Sequence, residues 1–362
     1  MSKPKILAMY LPQYHEIEEN NKWWGKGHTE WTSCKKAKPL FEGHNQPRIP
    51  LNNNYYDLSS TKAQKWQAEI AQKYGVYGFC YYHYWFEGHM MMEKPAENML
   101  KDKTIDLPFC FSWANHTWHH SLSKTKKEIL IEQTYGGKDD VENHYNYLVK
   151  FFKDDRYIKI NNKPVFVIYS IVDLEDWDLI NKIWNEKAKN DGFDGMYFIA
   201  TLTREGHSEY ANKMHFDAQM EYQPRFALNA TKKIDYTFYY YIKKKLYDKY
   251  INKPCILRYD KVWNRIIKNK CYKKSKIPTY LGSYCDWDTT ARWAPNGEIH
   301  IGACPEKFEK YFEQQYKISK QLGNEFIFIT AWNEWSEGAY LEPDTKNKYA
   351  YLESIKGVVE KI

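Results

Sequence analysis

With 362 residues, 43% of them hydrophobic, the chain can bury one large core or two ordinary ones. Tyr, Trp and Phe make up 17% of it, more than core packing needs, and clustered ring faces are what sugar-binding clefts use. The formal charge of +7 rests on lysine, with only seven Arg among the 53 basic residues. That sets aside the bidentate phosphate and base recognition expected of a nucleic-acid binder.

Short apolar runs recur in chain order, each followed by polar and aromatic residues. They are KILAMY (5–10), GFCYYHYW (78–85), PFCFSWAN (108–115), PVFVIYS (164–170), MYFIATL (196–202), DAQMEY (217–222), TYLGSYCDW (279–287) and FIFITAW (326–332). Near-continuous apolar strands indicate burial on both faces, as in a parallel sheet. Between them lie helical patterns at 61–75, 139–152, 178–191, 306–323 and at the end of the chain. Strand and helix alternating through 362 residues predict an α/β fold, a (β/α)₈ barrel forming a single catalytic domain over residues 1–362. The link between strands 6 and 7, about 225–277, is long, basic and Tyr-rich, and is expected to carry extra helices.

Basic runs at Lys243–Lys245 and Lys268–Ile277 read as a solvated face. If they bind anything, an acidic glycan, an anionic membrane surface or a lipid-linked glycan fits better than nucleic acid. The seven cysteines form no C-x-x-C pair and are odd in number, the pattern of a reducing compartment. No apolar run approaches membrane-spanning length, and MSKPKILAMYLPQYH lacks a signal-peptide core and cleavage site. The expected location is the cytoplasm. Oligomeric state is left open.

Barrel enzymes place chemistry at the C-terminal ends of their strands. The unusual residues fall there: Tyr10 and Gln13 after strand 1, His83 and Tyr84 at strand 2, Trp113 and Asn115 after strand 3, Glu221 after strand 6, Trp287 and Asp288 after strand 7. After strand 8 comes TAWNEWSEG, which presents Glu334 and Glu337 among Trp332, Asn333 and Trp335. Trp24 lies in a polar loop suited to stacking on a sugar. No P-loop, G-x-G-x-x-G or G-x-S-x-G occurs. HTWHH (116–120) has three histidines without H-E-x-x-H spacing or paired Cys, so neither metal nor cofactor is expected. Two close carboxylates suit glycoside hydrolysis, which needs an acid for the leaving oxygen and a second carboxylate for the other half of the reaction. Crowding drives their pKa values apart. Trp332 and Trp335 either stack on substrate or pack the barrel lid. Tyr10, His83 and Tyr84 either touch substrate or position catalytic groups. Glu221 and Asp288 either bind sugar hydroxyls or pair with Arg225 and Arg292.

Three stretches carry a resemblance: YLPQYHEIEENNKWWGKGHTEWTSCKKAKPLFEGHNQPRIP (10–50), YGVYGFCYYHYWFEG (74–88) and WNEWSEGAYLEPD (332–344). The chain resembles the WbsX family of bacterial polysaccharide-cluster proteins, which are often labelled glycosyltransferases and are related to family 99 glycoside hydrolases. That resemblance implies a (β/α)₈ enzyme acting on an α-linked, mannoside-like glycan with retention of configuration. It makes Glu334 the base that deprotonates the substrate's 2-hydroxyl and Glu337 the general acid. WANHTW (113–118) departs from the W-A-N-E-N-W common in the group, with His116 where an acid is usual. Three classes stay open: a hydrolase of a surface, capsular or O-antigen glycan; a glycosyltransferase or transglycosylase of lipopolysaccharide or capsule assembly; and a non-catalytic sugar-binding barrel. No nucleotide-diphosphate site is recognisable, which counts against the transferase.

Overall fold

In a computed structural model, which describes residues 2–121, 127–229 and 253–362 together with Ile242 and Leu246, the apolar runs become the strands of one parallel barrel. Strands β1 (Lys5–Tyr10), β2 (Gly78–Phe86), β3 (Phe109–Trp113), β4 (Lys163–Ile168), β5 (Tyr197–Leu202) and β6 (Ala218–Glu221) pair in chain order. Strand β7 has two segments, Thr279–Tyr280 and Gly282–Tyr284, and β8 is Phe326–Thr330. The first segment of β7 pairs with β6 and the second with β8, whose other edge holds β1, so the ring closes. A Cβ on Gly282 would stand 1.9 Å from the Glu221 carbonyl oxygen. Only glycine lets β7 lie this close to β6 while it changes neighbours.

Each strand is followed by a helix that covers the barrel. These are α1 (Thr61–Lys73), α2 (Lys94–Lys101), α3 (Gly137–Phe152), α4 (Trp177–Asn190), α5 (His207–Lys213), α6 (Tyr259–Lys268), α7 (Pro305–Gln321) and α8 (Ala350–Lys361). The helices bury one face each, and the strands are buried on both sides, which explains runs that lack polar alternation. Strands β4, β7 and β8 stop before their apolar runs do, because Tyr169, Trp287 and Trp332 already belong to the loops at the C-terminal rim.

The extra helices expected between β6 and β7 are, among the described residues, the short helix Arg225–Asn229 and a 3₁₀ turn at Cys271–Lys274 beside the crossover helix α6, with Ile242 and Leu246 helical as well. What the sequence did not suggest is a strand, Cys255–Arg258, which pairs in parallel with Glu298–Ile301 from the β7–α7 loop. Four residues are too few to register as a run. Lys243–Lys245 lie outside the described residues. In the second basic run Lys268, Lys270, Lys273, Lys274 and Lys276 are all exposed, a solvated face. Among the described residues no helix is long and apolar enough to cross a membrane.

Candidate active site

A cleft of about 1060 Å³ opens at the C-terminal ends of the strands. The β-pleat decides which side chains reach it. On β2, Tyr82 and Tyr84 line the cleft, whereas His83 and Trp85 turn outward against His144 of α3. Tyr169 and Tyr222 join them from the ends of β4 and β6, and the Tyr82 and Tyr222 hydroxyls are 2.9 Å apart. Glu334 lies close enough to push the Tyr82 and Tyr84 phenols further above their ordinary range, after burial itself.

The β8 loop supplies the carboxylates. Asn333 anchors it by accepting from the Leu11 amide (2.8 Å) and donating to the Leu11 carbonyl (3.0 Å), so the loop is tied to the end of β1. Gly338 closes the turn at φ +62°, where a Cβ would sit 2.9 Å from the Asp288 amide nitrogen. That is the physical reason for glycine after the second glutamate. Between these fixed points Glu334 and Glu337 face one guanidinium. Arg292 donates from Nη1 to Glu337 Oε1 at 2.7 Å, while its Nη2 is 3.8 Å from Glu334 Oε2. Glu334 is buried, and its Oε2 has no hydrogen-bond partner. Burial first, then the charge of Glu337, holds its carboxyl well above the ordinary carboxylate range, against the pull of Arg292.

Arg292 is itself held from behind. Glu30, buried on the short helix Glu30–Lys36, takes Nη2 at 3.3 Å on both oxygens and accepts the Ser336 amide at 3.0 Å. Arg292 Nε donates to Ser336 Oγ at 3.0 Å. Three carboxylates thus surround one cation. Against the partial desolvation of a side chain that is 32% exposed, their charges hold the guanidinium firmly protonated.

Of the residues singled out from sequence, Gln13, Trp24, Tyr84, Trp287, Glu334 and Glu337 line the cleft. Trp24 is 41% exposed at the mouth, edge-on to His120. The others are not brought to it. Tyr10 points at α1 and donates to Gln67 Oε1 (2.8 Å). His83 pairs with His144, Nε2 to Nε2 at 2.8 Å, and burial lowers its pKa to about 3. Trp113 packs edge-on against the same His144. Asn115 clamps the β4 loop, accepting from the Ser170 amide and donating to the Ser170 carbonyl. Glu221 is buried beside Gln223, its Oε1 unpartnered, and burial raises it to about 8. Burial pushes Asp288 up as well, but bonds from His44 and Thr290 and the charge of Arg48 hold it far below the usual range. Its ion-pair partners are therefore Arg48 and His44, not Arg225 or Arg292. Trp332 and Trp335 settle as lid packing: their indole N–H groups donate to the buried Glu342, at 3.1 and 2.6 Å.

Sequence reasoning missed Glu30, Arg292, Tyr169 and Tyr222 as cleft residues. Glu30 had a signal, since it sits inside the long N-terminal stretch beside Trp31. The chain also carries two Asp-x-Asp triplets, at 176–178 and 286–288, a pattern suited to a metal-bound diphosphate. The second is occupied: Arg48 Nη1 donates to Asp286 at 2.8 Å, and Asp288 is bonded as above. Among the described residues no three His, Cys, Asp or Glu cluster in a way that could hold a metal ion. His116 lines the cleft 5.5 Å from the Tyr169 ring, its Nδ1 unpartnered and its pKa lowered by burial.

A family model described as glycosyltransferase WbsX matches residues 6–355. Two curated relatives, both described as uncharacterised protein WxcX and both from strains of Xanthomonas campestris pv. campestris, are 28% and 29% identical over 357 residues. The match takes in 97% of this chain and 49% of each relative, so the chain spans about half the length of the curated relatives it matches. Among solved structures, the GH99 endo-alpha-mannosidase from Bacteroides thetaiotaomicron superposes with a TM-score of 0.57 at 14% identity, covering 98% of this chain and 96% of that one. A structure titled glycoside hydrolase-like protein reaches 0.62 at 11% identity, over 99% and 94%. At such identities these likenesses establish the barrel fold.

Proposed function

The chain belongs to the glycosyltransferase WbsX family, and we propose that it is a carbohydrate-active enzyme of glycoside hydrolase type that uses Glu334 and Glu337 on an α-linked, mannoside-like surface glycan. The observation that carries this reading is the pair itself. Glu334 is buried with an unpartnered oxygen, Glu337 lies on the same guanidinium, and both line an aromatic cleft. Groups poised in this way suit proton transfer.

Two glutamates three residues apart on one turn are poorly disposed to straddle a sugar ring from opposite faces. They suit a reaction in which Glu337 protonates the glycosidic oxygen while Glu334 takes the proton of the neighbouring 2-hydroxyl. The 2-oxygen then attacks the anomeric carbon, water opens the anhydro ring, and configuration is retained. Exposed Trp24 and Trp293 flank the cleft as stacking surfaces. We place the activity in one catalytic domain over residues 1–362, in the cytoplasm, with lipid-linked or membrane-proximal glycan as one source of substrate.

The test is a screen of purified protein against α-linked bacterial envelope glycans, α-mannans included, with product linkage assigned by NMR. Cleavage abolished in E337Q supports the reading. The family's description favours a second one, glycosyl transfer. Calorimetric titration with common nucleotide sugars decides between them: micromolar binding puts transfer first.

A further inference from the structure

The fork of Arg292 treats the two catalytic candidates unequally. Its Nη1 meets Glu337 at hydrogen-bond distance, 2.7 Å, whereas its Nη2 is committed to both oxygens of Glu30 and stands 3.8 Å from Glu334. Nε is committed to Ser336 Oγ, and the Ser336 amide to Glu30, so the nitrogens other than Nη1 already have partners away from Glu334. Other titratable or charged groups line the same cleft: Tyr82 and Tyr84 of β2, His116, His119 and His120 of the β3 loop, Tyr169 after β4, Tyr222 and Arg225 after β6, and His28 and Glu30 from the β1 loop. Burial raises the phenols, so none of the four supplies a charge at neutral pH. Arg225 lies over the Trp287 ring, 5.2 Å from its centroid, whereas Arg292 is, among the described residues, the cation within ion-pair distance of both carboxyls.

We propose that Arg292 is a positioning residue that sets where the pair's single proton rests: Glu337 is kept as the carboxylate, and Glu334, out of reach with an unpartnered oxygen, keeps the proton. This is the reverse of what turnover by the 2-hydroxyl route requires, in which Glu337 donates and Glu334 accepts. Entry of the glycan then has to move one proton from Glu334 to Glu337. No other proton is gained or lost. Glu337 gives its proton to the leaving oxygen and later takes one from the attacking water. Glu334 takes the 2-hydroxyl proton and later returns it to the 2-oxygen. The pair regains its resting form when, after product leaves, the proton passes back from Glu337 to Glu334. The consequence for turnover rests on the hydrolase reading. The resting place of the proton does not, and it can be measured without a substrate.

The experiment is carbon NMR of the full chain labelled at glutamate side-chain carboxyls, at pH 7, with signals assigned by their loss in E334Q and in E337Q. The expected result is a carboxylic-acid shift for Glu334 and a carboxylate shift for Glu337. In R292Q the two shifts should converge as the proton becomes shared. R292K keeps the charge and loses the fork, and the difference should persist there. It covers the case in which R292Q does not fold. A carboxylate shift for Glu334 in the wild type overturns the proposal, as does an undiminished difference in folded R292Q or its absence in R292K. A purely structural arginine would lower melting temperature in both variants and leave the shifts apart. Failure to cleave any glycan would refute the hydrolase reading and leave this result untouched.

Discussion

Glu334 and Glu342 are both buried glutamates of the β8 loop, eight residues apart, and their surroundings are opposite. Glu342 accepts from Tyr56 Oη (2.9 Å), Gln67 Nε2 (2.7 Å) and the indoles of Trp332 and Trp335. Glu334 has an oxygen with no donor at all. Burial drives both pKa values up, but four donors restrain Glu342 to about 7, while Glu334 has the added repulsion of Glu337. A satisfied carboxylate organises the lid. An unsatisfied one, on the function proposed above, has room for a partner that arrives from the cleft.

Breaking the reactive side of this contrast should give the largest effect. E334Q and E337Q are each expected to lower turnover at least about a hundredfold, the scale of general acid–base contributions. The melting temperature of E334Q should hold or rise, and that of E337Q should fall only a little, because the ion pair it loses to Arg292 is partly exposed. A large stability loss with activity kept would make the pair structural.

E342Q should do the reverse. At pH 8 its amide presents N–H groups to donors, leaving two of them without an acceptor, at a cost of about 2 kcal/mol or more in denaturant unfolding. An unchanged midpoint would mean that the indole bonds do not organise the lid.

Glu221 sharpens the comparison through pH. Its folded pKa of about 8 lies above the ordinary 4.5, so the folded state binds its proton more tightly. The associated stability is fully present below pH 4.5 and is lost as pH rises through 8. E221Q should match wild type near pH 4.5 and melt higher at alkaline pH, with equal melting across the range as the contrary result. The smallest expected effect is from metal removal: dialysis against a chelator should leave the rate unchanged, and a loss restored by a divalent ion would return His116, His119 and His120 to consideration as ligands.

How much of this the sequence disclosed follows from the same physics. The barrel was legible because strands buried on both faces leave near-continuous apolar runs. That very feature hides which face of a strand looks inward, since both are apolar. His83 and Tyr84 are adjacent and equally suggestive, yet only Tyr84 reaches the cleft. Glu334 and Glu337 were legible because carboxylates among indoles straight after a strand have no ordinary structural explanation. Arg292 and Glu30 were not read as partners, because 262 residues separate them and only barrel closure brings the β1 and β7 loops together. For Trp332 and Trp335 the sequence left stacking and lid packing equally open, because their acceptor, Glu342, is not marked as such by its neighbours in the chain.

The account's central claim is that the β8 carboxylates perform acid–base chemistry on a glycosidic bond. Time-resolved proton NMR of an α-linked envelope glycan incubated with wild type, E334Q and E337Q tests it most directly. The account predicts a new reducing-end signal with wild type alone, its first-formed anomer retaining the configuration of the cleaved bond. Cleavage at equal rates by all three proteins would contradict it, as would an intact glycan that grows only when a nucleotide sugar is added.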